Sequence, residues 1–353
     1  MTPSPSLEER ARGTLLGGAL GDALGAPVEF LSLADIRERF GPTGVGGDAN
    51  EAIAARITDD TQMSLFTAEG LIRAHNRAEG RPDSEAEVLS IHRAYLRWDY
   101  TQREVWPSLA PTRTDTSGWL LQQEFLHAVR APGRTCLSAL RADTRGTIDR
   151  PLNASKGCGG VMRVAPIGIV RQRPFALAAA AAALTHGHPS GYLSAAALAE
   201  MIAALMEGTP LVEAVDRALM ALAAWDRHEE TTAALKSARR LAESGAPATA
   251  ETVERLGQGW VGEEALAIAV YCALAASDYP SGVRLAVNHG GDSDSTGAIA
   301  GNLLGAALGE PALPRAWLAG LEGRHVITQV ALDLVAMREH PERPVDLERY
   351  PPE

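Results

Sequence analysis

The chain has 353 residues, 33 Lys+Arg against 44 Asp+Glu, and a formal net charge of −11. Its 46% hydrophobic content is ordinary for a globular protein, and three cysteines without a CxxC pair exclude a disulfide framework and a structural zinc site. An acidic balance with no basic block excludes a general nucleic-acid binder. The absence of a basic, apolar leader or an uninterrupted apolar run of about 20 residues leads us to expect a cytoplasmic protein without a membrane span.

Helix formers with apolar residues at i, i+3 and i+4 predict helices in chain order over 13–25, 59–79, 84–98, 163–171, 174–186, 190–207, 210–226, 229–244, 262–277, 293–309 and 322–339. Alternating β-branched runs are nearly absent and aromatics are only 5%, which disfavours strand-rich folds. Pro, Gly, Asp and Thr gather at 40–56, 99–117, 143–161 and 245–250, which read as loops. Length alone suggests about two domains. No segment reads as a linker, so the expected architecture is all-α, one compact domain over 8–340, with extended termini at 1–7 and 341–353.

Two helices carry an unusual stripe. Gly13, Gly17, Gly21 and Gly25 recur every four residues, as do Gly297, Gly301, Gly305 and Gly309. Each interior glycine costs about 1 kcal/mol relative to alanine, so close contact with a neighbouring backbone must offset it. Asp22 and Glu29 lie at the C-terminal end of the first stripe, whereas an Asp-Ser-Asp-Ser run opens the second. Antiparallel packing of the stripes would bring these acidic ends together. A dinucleotide-binding turn is a poor reading of GGALGDALG, because no strand precedes it.

Carboxylates gather at two helix starts. Ile57-Thr58-Asp59-Asp60-Thr61 opens one helix, and His289-Gly290-Gly291-Asp292-Ser293-Asp294-Ser295-Thr296 opens the other. Either could be only a cap that complements the helix dipole. Together they make a more specific pattern. Two like charges about 4 Å apart repel by roughly 4 kcal/mol at an effective dielectric of 20, and helix dipoles offset only part of this. Cations are the natural remedy, and an oxygen-only donor set favours Mg²⁺, Mn²⁺ or Ca²⁺, as a two-metal cluster.

The loop Ser155-Lys156-Gly157-Cys158-Gly159-Gly160 offers backbone N–H groups and side-chain donors to an anion. It lacks the residue order of a P-loop. Only Lys156 and Lys236 are lysines, the other basic residues being arginine, which draws attention to Lys156. Cys158 paired with His186 as a nucleophile competes with Cys158 as a small residue in a crowded loop. His186 closes an alanine-rich helix and can face a ligand or serve as a cap. His289 is left outside the candidate site.

Five motifs in order, GDALGAPVE, TDDTQM, KGCGGVMR, THGHPSGY and GGDSDS, resemble the ADP-ribosylglycohydrolase family, which includes the dinitrogen-reductase-activating glycohydrolases. The resemblance spans about residues 8–338. It implies an orthogonal helical bundle with a central dinuclear magnesium or manganese site. The implied metal ligands are Thr58, Asp59, Asp60, Asp292, Asp294 and Ser295. Many members have threonine in place of Ser295, and Thr296 is adjacent. The implied substrate contacts are Ser155, Lys156, Gly157, Cys158, Gly159, Gly160 and His186, with Glu29 on the loop beside the ribose. Some relatives have asparagine at Cys158. The implied reaction is hydrolysis at the ribose anomeric carbon of an ADP-ribosylated substrate, proteins included, through an oxocarbenium-like transition state. Asp60 or Glu29 would handle the proton. Arginine, serine and acetyl linkages are alternatives, as is a catalytically silent ADP-ribose reader or structural member. A monomer is expected.

Overall fold

The computed structural model describes residues 4–50, 53–80, 83–103 and 116–352. Helices dominate, and no strand ladder occurs among the described residues; only two isolated bridges pair Ala55 with Leu321 and Gly157 with Val261. Five helices position the site: α1 (Leu7–Gly25), α2 (Asp59–Arg77), α3 (Pro189–Met206), α4 (Gly262–Ala275) and α5 (Ser293–Leu308). The predicted helices appear with ends moved by a few residues. The striped helix begins earlier than its pattern suggested, because Ser6 and Glu9 form a capping box ahead of it. Short helices such as Arg134–Leu140 and Tyr279–Val287 escaped the periodicity because they offer too few turns to show it.

The α1–α5 pair is antiparallel and forms the centre of the molecule. A Cβ added at Gly21 would lie 2.0 Å from the Gly297 carbonyl oxygen, one at Gly17 2.5 Å from that of Gly301, and one at Gly13 2.3 Å from that of Gly305. Backbone therefore meets backbone along the whole stripe, and no other residue fits. The Asn302 amide donates to the Thr14 carbonyl at 2.8 Å and fixes the register. Helices α3 and α4 pack on α5, while α2 packs on α1. Helix α3 is long and apolar enough to cross a membrane, yet all of it is buried inside the protein.

The stretch after His340 departs from the extended tail expected. It turns back on the bundle, where Asn76 donates to the carbonyls of Val345 and Tyr350 at 2.7 and 2.8 Å. The Tyr350 hydroxyl donates to Asp333 at 2.8 Å, so the tail is fastened by its own buried polar contacts. Most of the loop expected over 99–117 lies outside the described residues.

Candidate active site

The antiparallel stripe places the end of α1 beside the starts of α2 and α5. A Cβ at Gly25 would lie 2.2 Å from the Ser293 carbonyl oxygen, which shows how closely the two acidic ends approach. Asp59, Asp60, Asp292 and Asp294 are all buried there. A cavity of about 530 Å³ opens over them, lined in part by Glu29, Cys158, His186, Trp260 and Ser295. A cavity of about 490 Å³ lies elsewhere, between the Leu33–Phe40 helix and Arg284; its one carboxylate, Glu251, is paired with Arg37. The chemistry belongs to the first.

Asp22 is the organiser of the centre, a role that sequence reasoning missed. Its carboxylate accepts from the Thr58 amide at 3.0 Å, the Thr58 hydroxyl at 2.8 Å, and both the amide and the hydroxyl of Thr61. These contacts fix the first turn of α2, so Asp59 and Asp60 are aimed by a buried acid on another helix. Burial and the neighbouring Asp294 push the Asp22 carboxyl up to about 7, against the hydrogen bonds from Thr61 and Thr58. A buried aspartate beside a glycine stripe was the available signal. From the other side, Arg130 donates to the Ile57 carbonyl at 2.7 Å and pairs with Glu322. Asp22→Asn would turn an N–H group toward the Thr58 and Thr61 donors. We expect a loss of about 1–3 kcal/mol in urea denaturation, with a normal helical spectrum.

The capping reading is only partly realised. Thr58 caps α2 by accepting from the Asp60 amide at 3.3 Å. Asp292 sits at the cap of α5, but its side chain caps nothing and faces the cavity. Asp59 accepts from the Gly133 amide at 3.1 Å, which ties the 131–135 loop to the centre. Burial, then Asp294 and Asp59, hold the Asp60 carboxyl well above the usual carboxylate range. Its Oδ2 is buried without any hydrogen-bond partner among the described residues. Glu29, Asp292 and Asp294 offer oxygens within 4.8 Å of one another. Pro27 follows the end of α1, and Glu29 bonds back to the Gly25 carbonyl at 3.1 Å. Burial and the surrounding aspartates raise the Glu29 carboxyl to about 9. An orphaned carboxylate oxygen and a crowd of unneutralised acids suit hard cations, and the donor set is almost wholly oxygen.

The choice between adjacent hydroxyls is visible in the geometry. Thr296 donates to the Asp292 or Ala286 carbonyl at 2.8 Å and meets His289 Nε2 at 2.9 Å. It is committed to holding the helix start, and the buried His289 is its support. Ser295 lines the cavity instead.

The glycine loop divides. Gly157, Cys158 and Gly159 line the cavity with His186, whereas Ser155, Lys156 and Gly160 do not. A Cβ at Gly159 would meet the His186 ring at 3.1 Å, so glycine lets loop and histidine approach. Lys156 pairs with Glu263 and, at 3.3 Å, with Glu230. Ser155 accepts from the Gly157 amide at 3.3 Å. Cys158 does not pair with His186. Its Sγ donates to Asp292 Oδ2 at 2.8 Å, and burial beside Asp292 pushes the thiol well above its ordinary range, which suits a donor and not a nucleophile. His186 meets the Thr185 hydroxyl at 2.8 Å through Nδ1, and burial lowers it to about 3, leaving a neutral ring.

Lining residues not singled out from sequence include Phe30, Arg134 and Trp260. Phe30 is 69% exposed, has φ 68°, and stacks on Trp260 with centroids 5.1 Å apart. Arg134 is exposed at the rim, a cation placed where Lys156 was expected. The hints of Phe30 and Trp260 were an isolated aromatic beside Glu29 and another in the Gly-Gln-Gly-Trp turn before α4.

A family profile described as ADP-ribosylglycohydrolase matches residues 3–344. The chain is 27% identical to the ADP-ribosyl-[dinitrogen reductase] glycohydrolase of Rhodospirillum rubrum, over 90% of this chain and 92% of that protein. It is 24% identical to the ADP-ribosylarginine hydrolase Tri1 of Pseudomonas putida, over 95% of this chain and 80% of that one. A solved structure titled ADP-ribosylglycohydrolase-related protein complex superposes with a TM-score of 0.64 at 26% identity, covering 94% of this chain and 99% of the other.

Proposed function

The chain belongs to the ADP-ribosylglycohydrolase family, and from that premise we propose that it hydrolyses the N-glycosidic bond between ADP-ribose and an arginine side chain, releasing ADP-ribose. The single observation that carries the reading is the buried Asp60, which lines a cavity ringed by further carboxylates and whose Oδ2 has no hydrogen-bond partner among the described residues. An orphaned acid of this kind costs stability unless a ligand or a reaction uses it.

Thr58, Asp59, Asp60, Asp292, Asp294 and Ser295 are the residues that would hold two Mg²⁺ or Mn²⁺ ions. The ions would supply positive charge for the ribose hydroxyls and ease the deprotonation of water. Ser295 is favoured over Thr296 because its hydroxyl faces the cavity uncommitted to the helix start. Asp60 takes the proton of the attacking water, with Glu29 as the second group within the site able to do so. Departure of the aglycone leaves positive charge on the ribose ring, and the carboxylates below stabilise it. Gly157 and Gly159 present backbone without side chains to the diphosphate, and Arg134 adds the cation at the rim. Lys156 would have to leave Glu263 and Glu230 to contribute. The neutral His186 ring orients the loop and donates or accepts without adding charge.

The arginine linkage is supported by the likeness to a named ADP-ribosylarginine hydrolase. Purified protein incubated with arginine-, serine- and acetyl-linked ADP-ribose is expected to release free ADP-ribose from the arginine conjugate when Mg²⁺ or Mn²⁺ is present, and not in EDTA. Release from the serine or acetyl conjugate alone would overturn the linkage. No release from any conjugate would overturn the enzyme and favour a silent ADP-ribose binder.

A further inference from the structure

Arg163 closes the KGCGGVMR motif and has no part in the chemistry described so far. Its side chain is fully buried, and no carboxylate pairs with it among the described residues. The guanidinium lies 4.2 Å from the centre of the Tyr95 ring and meets the sulfurs of Met63 and Cys136 at 3.6 and 3.5 Å. It donates to the Ala181 carbonyl at 3.3 Å and, in its shortest hydrogen bond, to the Thr185 hydroxyl at 2.7 Å. A buried cation without a counter-ion is costly to keep. Thr185 links this cation to the cavity, because the same hydroxyl lies 2.8 Å from His186 Nδ1.

A threonine hydroxyl has one proton to give and two lone pairs. Arg163 can only donate, so it occupies a lone pair of Thr185, and its charge makes that oxygen a better donor and a poorer acceptor. The Ala182 carbonyl is 3.4 Å from the hydroxyl and already accepts from the amides of Thr185 and His186 at 3.1 and 3.0 Å. The neighbouring Cys136 sulfur is a weak acceptor. The proton of Thr185 therefore goes to Nδ1. A neutral ring that accepts at Nδ1 carries its own proton on Nε2, and burial followed by Arg163 keeps this ring neutral. Nε2 has no hydrogen-bond partner among the described residues. A Cβ at Gly157 would lie 3.3 Å from it and one at Gly159 3.4 Å, so it opens between two glycines that line the cavity. We propose that Thr185, polarised by the buried Arg163, is a positioning residue that holds His186 in the Nε2–H form, which donates to an anionic diphosphate oxygen. The other tautomer would turn a lone pair toward the same anion and repel it. The proposal rests on the placement of the diphosphate beside Gly157 and Gly159 under the proposed function.

The tautomer is read in the ligand-free protein by long-range proton–nitrogen NMR correlation of nitrogen-15-labelled histidine at neutral pH. The His186 signals are assigned from their loss in His186→Asn. The wild type is expected in the Nε2–H form. Thr185→Val removes the hydroxyl and should give a mixture of both tautomers, whereas Thr185→Ser should restore the wild-type pattern. ADP-ribose, titrated by calorimetry with Mg²⁺ present, should bind Thr185→Val about tenfold more weakly and Thr185→Ser as it binds the wild type. Helical circular dichroism should be unchanged in both. Arg163→Met should repeat the Thr185→Val result, and the two Thr185 variants decide alone should that protein not fold. An Nδ1–H wild type, or a Thr185→Val protein that keeps either the Nε2–H form or the wild-type affinity, overturns the proposal. A wild type that leaves ADP-ribose unbound overturns it as well. Neither readout involves turnover. Hydrolysis of a serine or acetyl conjugate would correct the linkage and leave the tautomer result standing, whereas a failed tautomer leaves the proposed hydrolysis untouched.

Discussion

Asp60→Asn is expected to fold normally and to lose activity on arginine-linked ADP-ribose by about 10³-fold or more. A cation-bearing centre supplies several kcal/mol of transition-state stabilisation, and about 4 kcal/mol corresponds to three powers of ten. The same change should leave the cation-free protein as stable as the wild type, or more so. Burial and Asp294 raise the Asp60 carboxyl well above its ordinary value. A carboxyl raised in this way binds its proton more tightly folded than unfolded, so at neutral pH it subtracts from stability. Asparagine removes that cost. Thermal unfolding with and without Mn²⁺ checks both halves: the variant should match or exceed the wild type in EDTA and gain less from added metal. Wild-type turnover in Asp60→Asn would remove Asp60 from the mechanism altogether.

Gly21→Ala should be among the most damaging single-methyl changes in the chain, with a loss of about 2–3 kcal/mol in denaturant unfolding. Alanine improves helix propensity by about 1 kcal/mol, which would predict stabilisation if the helix stood alone. Here the new Cβ would sit 2.0 Å from the Gly297 carbonyl oxygen and 2.4 Å from the carbon behind it. Those atoms are backbone and cannot rotate away, so the helices must separate. Separation moves Asp22 from the Thr58 and Thr61 donors it serves. Weaker Mn²⁺ binding should therefore accompany the lost stability. An unchanged unfolding midpoint would show that the stripe tolerates a looser contact than its geometry indicates.

Much of this was legible in the sequence because its signals are local or strictly periodic. Helix formers at a 3.6-residue period gave the long helices, and two four-residue glycine repeats with opposed acidic ends implied the antiparallel pair. The paired aspartates at two helix starts announced a common site for the same reason. What stayed hidden depends on direction. Lys156 sits in a loop suited to anions, but Glu263 and Glu230 stand on elements distant in sequence and take up its charge. Asp22 reads like any acid near a helix end until Thr58 and Thr61 are seen bonded to it. Cys158 reads in sequence as a nucleophile or a filler, and only the placement of Asp292 shows a thiol acting as a donor. The Phe30–Trp260 stack joins residues far apart in the chain, so no window of sequence contains it.

The stripe has a further consequence for the order in which the site can exist. Its two halves come from opposite ends of the chain, with Gly21 meeting Gly297 and Gly25 meeting Ser293. Local helices can form early during synthesis, but this pairing closes a very long loop and belongs to the slow, non-local part of folding. Asp59 and Asp60 are translated long before Asp292 and Asp294 exist to complete the centre. A nascent chain therefore carries half of an acid cluster with no partner half. The acidic pocket is complete only once that pairing has formed, so the site and the contact of Gly21 with Gly297 depend on one and the same step.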